Sequence, residues 1–192
     1  MSPPVPPPPE RTLQAMGARR RAPGSPDTAE IVRRLRRANA DADRFVALFD
    51  ARAIAGERHL LSAWAHLGRS RTREEARLRD RGAEFALYVA GDDQLPRALA
   101  RVGVRPETEE FVLVAERPRE LPPLLQEFDL VADPSLYPRP VGMETLDRLG
   151  IGPAERAVVP PSAWEGLVLE RVAFVDLAPA HGPAPSARPK RT

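Results

Sequence analysis

Apolar residues fall into short blocks separated by charged and turn-forming stretches. IVRRLRRANA (31–40) reads as a short, heavily basic helix, and FVALF (45–49) as a first strand. From Glu57 to Leu67 the positions Leu60, Trp64 and Leu67 make one stripe at helical spacing. Thr72 with Glu75 matches a capping box, which predicts a helix running to about Arg81 and ended by Gly82. FALYVA (85–90) and FVLVA (111–115) are continuous apolar runs of strand length, expected as strands covered on both faces.

Between those runs, GDDQLPRALARVG predicts a helix capped by Asp93, with Pro96 in its first turn and Gly103 as C-cap. Leu95, Ala98, Leu99 and Val102 are expected to face inward, and Arg97 and Arg101 to stand one turn apart on the outside. Two strands joined by such a helix suggest a crossover unit with a parallel pair. Residues 119–127 form another short helix, 131–141 a loop rich in proline, and METLDRL a helix closed by Gly150. Ser162 and Glu165 make a second capping box ahead of the last element, which carries Trp164, Leu167, Val168, Leu169, Val172 and Ala173; the final FVDL continues it or forms an edge strand.

Twelve of the 23 prolines stand before Thr28 or after Ala178. Proline lacks the N–H that helices and sheets use, so residues 1–28 are expected to be a disordered Pro/Arg-rich arm and 179–192 a disordered tail. The fold class that follows is α/β: a single compact domain over 30–178, a small mixed sheet flanked by helices. The opening MSPPVPPPPE lacks the apolar core of a signal peptide, and no run approaches a membrane span, which makes the cytoplasm the expected compartment.

Composition narrows the chemistry. Apolar residues are 42% and aromatics 5%, so the core is aliphatic, and 29 basic against 27 acidic residues permit nucleic-acid contact without demanding it. Without cysteine there are no disulfides, thiolate metal sites or cysteine nucleophiles. His59 and His66 are seven apart, not the four of a zinc helix, and neither GxxxxGK[ST] nor GxGxxG occurs, so no metal or cofactor is expected. His59, in the first turn after Gly56, has two readings: a structural histidine bonded to the neighbouring loop, or a contact to a partner or RNA. Arg97 and Arg101 are either a solvated face or a phosphate contact. Gln94 either caps its helix or faces the loop after Gly91, where open sheets place ligands. Arg33, Arg34, Arg36 and Arg37 form the purest basic cluster.

FDARAIAGERHLLSAWAHL, GAEFALYVAGDDQLPRALARVGV and EEFVLVAE, followed by LGIGPAERAVVPPSAWEGLVLERVAFVDL, together resemble the small accessory subunit of the KEOPS complex, the TPRKB-type kinase-binding family, over residues 44–177. Gly56 with His59, the turn at Gly91 and Gln94, and the closing LERVAFVDL carry the resemblance in that order. It implies a non-catalytic subunit supporting threonylcarbamoyl modification of tRNA. Its partners would be the complex's small atypical kinase, through it the catalytic threonylcarbamoyl-transfer subunit, and the single-stranded CCA end of tRNA. Leu167, Val168, Leu169, Val172 and Phe174 are then candidates for the kinase interface. Gly56, His59, Gly91, Gln94, Arg97 and Arg101 are candidates for the RNA site. A protein-interaction module without RNA binding and a small-molecule enzyme are the alternatives.

Overall fold

The structure, a computed structural model, describes residues 13–23, 26–40 and 44–178; the rest of the expected arm and tail lies outside the described residues. The described chain is an α/β domain around a four-stranded sheet of order β2-β3-β1-β4, with strands β1 (Gln14–Arg20), β2 (Val46–Asp50), β3 (Glu110–Ala115) and β4 (Leu130–Ala132). Every pairing in it is antiparallel, so the expected parallel pair does not occur among the described residues.

That difference has one cause. FALYVA is not a strand but most of a helix, α3 (Arg81–Ala90), in which every residue from Glu84 to Ala90 is buried. A short apolar run buried all round looks the same as a doubly covered strand, and only its ends decide. Asp80 accepts the Ala83 N–H at 2.7 Å, and Gly91 closes the helix in the left-handed conformation (φ 60, ψ 40).

The second correction is β1, which falls inside the expected disordered arm and pairs with β3 on one side and β4 on the other. QAMGARR shows no apolar alternation, and its place is fixed largely by main-chain pairing. Gly17 is needed there, because a Cβ would lie 2.4 Å from the Asp133 carbonyl oxygen where the chain leaving β4 passes the strand. Arg20 is buried against the Phe111 ring at 5.4 Å, its Nε donating to the Thr108 carbonyl at 2.8 Å.

FVALF and FVLVA form β2 and β3, as their composition implies. Val112 and Val114 face one core with Phe45, Ala47 and Phe49; Phe111, Leu113 and Ala115 face a second with Ile31, Leu124 and Phe128. The second face is covered by α1 (Thr28–Ala38) and α5 (Leu121–Glu127). The first is covered by α2 (Glu57–Thr72), α3, α4 (Leu95–Val102) and the last helix, α8 (Trp164–Leu177), into which FVDL continues. Two short helices, α6 (Met143–Arg148) and α7 (Pro153–Ala157), lead to α8.

Neither expected capping box forms. Thr72 ends α2, its hydroxyl donating to the Gly68 carbonyl at 2.9 Å, and residues 73–80 are not helical. Ser162 lies in a 3-10 turn, while Glu165 pairs with Arg58 at 2.8 Å. Among the described residues no helix is long and apolar enough to cross a membrane.

Candidate functional site

Gly56 is the N-cap of α2 at φ 98 and ψ −170, a region reserved for glycine. This turn aims the Ala55 N–H at His59 Nδ1 (3.1 Å), so Nε2 carries the proton and donates to the Val89 carbonyl at 2.8 Å. Burial outweighs that bond and pushes the ring down to about 4, leaving it neutral. His59 is therefore a wholly buried tie between α2 and the end of α3, with no surface to offer an RNA; the structural reading of this residue is the one realised.

The α3 end is a Schellman turn. Gly91 N–H donates to the Tyr88 carbonyl and Asp92 N–H to the Leu87 carbonyl, both at 3.1 Å. A side chain at Gly91 would meet Arg171 Cβ at 2.6 Å, because α8 crosses here. Gln94 is the N-cap position of α4 but its side chain makes no capping bond. Asp93, the expected cap, stands one residue before the N-cap position, and the Asp92 carboxylate accepts the Gln94 N–H at 2.9 Å in the turn that leads into the helix. On α4, Ala98 and Val102 are buried, but Leu99 is 48% exposed rather than inward.

Asp92 also seats both arginines of α4. Arg97 approaches it with Nε at 3.0 Å and Nη2 at 3.0 Å, and Arg101 with Nη1 at 3.2 Å. Burial alone would raise this carboxyl, but the bonds from Arg97 and Gln94 and the charge of Arg101 hold it below the usual range. Arg101 Nη1 also reaches the Ala90 carbonyl at 3.3 Å.

A second carboxylate lies at the end of β2. Asp50 is fully buried and accepts Arg52 Nη2 at 2.7 Å, Arg52 Nε at 3.0 Å and the Thr108 hydroxyl at 3.3 Å, with Arg148 Nη1 3.1 Å away as an ion pair without a hydrogen bond. Here too burial raises the carboxyl, and the Arg52 bonds with the Arg148 charge more than offset it. The Thr108 hydroxyl accepts the Arg105 N–H at 3.0 Å, so one buried carboxylate reaches two arginines of the depression described next.

These arms meet in an open depression of ≈ 420 Å³ lined by Arg97, Ala100, Arg101, Arg105 and Arg148. Arg97 and Arg101 were legible from helical spacing. Arg105 continues the same four-residue step past Gly103, a signal present in the sequence, whereas Arg148 arrives from a distant helix with no local signal. Four guanidiniums around an open floor suit an anion with several oxygens. Among the described residues no group of three or more His, Asp or Glu is arranged to hold a metal ion.

On α8, Val168 and Val172 are buried at 0% and cannot serve an interface as they stand. Leu167 and Leu169 are half-buried, Leu167 packing against the core, while Phe174 is 52% and Leu177 76% exposed. In sequence the helix reads as one apolar block; turned at 100° per residue, it keeps the valines and presents Phe174 and Leu177 outward.

Scanned against protein-family models the chain matches none, and a search of curated proteins returns no match.

Proposed function

We propose that the chain is a non-catalytic subunit of a KEOPS-type complex, supporting threonylcarbamoyl modification of tRNA by binding the small atypical kinase and the single-stranded CCA end. The observation that carries this reading is the arginine-lined depression, which contains both α4 arginines singled out for phosphate contact and adds two more. An arginine-lined surface can hold a phosphate backbone without reading sequence. The exposed Phe174 and Leu177 support the kinase half of the proposal, as apolar side chains on an outward helix face available to a partner.

The test is a gel shift of the full chain with intact tRNA and with tRNA lacking CCA. The expected result is a shift that weakens on removal of the end, and weakens again with Arg97→Gln. An equal shift with both RNAs overturns end recognition. Co-purification that returns this protein without a kinase under mild conditions overturns the complex assignment.

A further inference from the structure

We infer that Asp92 and Asp50 are positioning residues, which hold the arginines of the depression in a fixed array for the phosphates of a single-stranded nucleic acid. The inference rests on the proposed RNA role of that depression and assigns its affinity to two buried carboxylates that line none of it.

An arginine on a helix surface samples many rotamers, and ordering it on a ligand costs binding free energy. Here that cost is met in advance. Arg97 and Arg101 converge on Asp92, which is 7% exposed, from two successive turns of α4. Arg148 is tied to Asp50, and the backbone of Arg105 to the same carboxylate through the Thr108 hydroxyl. The Arg105 side chain is further turned back onto the Ala100 carbonyl. Each carboxylate engages more than one cationic arm: Arg52 shares Asp50 with Arg148. Arg97 and Arg105 remain open to a ligand, their side chains 62% and 43% exposed, while Arg101 at 29% and Arg148 at 17% are more closely held. Among the described residues no aromatic ring lines the depression, so phosphates rather than stacked bases are the groups it can take.

Charge and position predict opposite signs for one substitution. A carboxylate beneath a cationic surface weakens anion binding by simple electrostatics, so Asp92→Asn, which removes a negative charge, would tighten binding if charge were all that mattered. If Asp92 positions the arginines, the same variant binds more weakly despite the added positive charge.

The experiment titrates a fluorescein-labelled single-stranded RNA ending in CCA against wild type, Asp92→Asn, Asp50→Asn, Arg97→Gln and Arg148→Gln over a series of salt concentrations, with a thermal melt of each. The expected result for Asp92→Asn is affinity lower by about fivefold or more, and a salt dependence shallower by about 0.7 for each phosphate no longer engaged. Asp92→Glu, which keeps the charge, recovers part of both. A merely structural aspartate would move the melt and leave the salt slope unchanged. Asp50 is fully buried, and if its variant does not fold, Thr108→Val, which breaks only the link to Arg105, takes its place with a smaller loss expected. Weakening by the arginine variants together with unchanged or tighter binding by Asp92→Asn overturns the positioning role alone. Binding indifferent to both arginine variants removes the site, and both readings with it.

Discussion

The two ends of α3 use the same chemistry to different ends. In its first turn Glu84, fully buried, accepts the Ser70 hydroxyl at 2.7 Å, Arg71 Nη2 at 2.7 Å and the Arg77 N–H at 3.0 Å. Just past its last turn Asp92 accepts Arg97, Arg101 and the Gln94 N–H. At the first end the arginine is used up: Arg71 Nη2 also donates to the Leu78 carbonyl at 2.8 Å, and the cluster fastens the 73–80 loop to the helix. At the second end Arg97 leans outward over an open floor with 62% of its side chain in solvent, while Arg101, at 29%, is held as closely as Arg71 at 30%. A carboxylate–arginine pair is thus not in itself a sign of function. What separates a brace from a binding surface is whether the guanidinium still faces solvent once its carboxylate is satisfied.

If that distinction holds, damage at the closed end appears as lost stability. Glu84→Ala leaves Arg71 without its counter-charge and the Ser70 hydroxyl and Arg77 N–H without their acceptor. A buried donor left without its acceptor costs about 1–3 kcal/mol, and the loss is measurable as a drop in the midpoint of urea unfolding. A change below about 1 kcal/mol would mean that water replaces the carboxylate, and the contrast between the two ends would collapse.

His59 sharpens the same contrast through pH, because both of its nitrogens are spent inside the fold. The folded ring titrates at about 4, against an ordinary value of 6.5, so the unfolded chain takes up a proton that the native state refuses. The contribution is present in full above pH 6.5 and is lost as pH falls toward 4. Roughly 2 kcal/mol should disappear between pH 7 and pH 5, a window above the titration of the depressed carboxyls of Asp50 and Asp92. Urea melts across that window should lose this slope in His59→Gln. A wild-type stability that stays flat from pH 7 to pH 5 would show that the ring is reached by water.

The sequence revealed these regions unequally, for physical reasons. β2 and β3 were legible as β-branched and aromatic runs bounded by turns, a composition that favours strands but that FALYVA shares while folding as a helix. Arg97 and Arg101 were legible because helical spacing alone puts them on one face. Three things depended on tertiary placement. α3 is apolar all round because helices and sheet enclose it, so its periodicity is erased. β1 is held by neighbours on both sides and needs no apolar pattern of its own. Asp92 and Asp93 are adjacent and chemically identical, and only the fold decides that Asp92 turns inward to collect two arginines. Of the site residues the pattern supplied, Arg97 is exposed and Arg101 half-buried, while Gly56, His59, Val168 and Val172 are buried; the anchors beneath the arginines came from tertiary placement.

The smallest stability effect belongs to the open end, and it tests the contrast from the other side. Arg97 carries 62% of its side chain in solvent, and its pairing with Asp92 and Asp93 is screened there. Arg97→Ala should leave the melting temperature within about 2 °C of wild type. It should still lower the affinity for single-stranded RNA severalfold and flatten its salt dependence, since each phosphate left without its arginine takes about 0.7 from the slope. Calorimetry and the RNA titration on one preparation separate the two outcomes. A large fall in melting temperature with unchanged RNA affinity would turn Asp92 and its arginines into a second brace, leaving α3 closed in the same way at both ends.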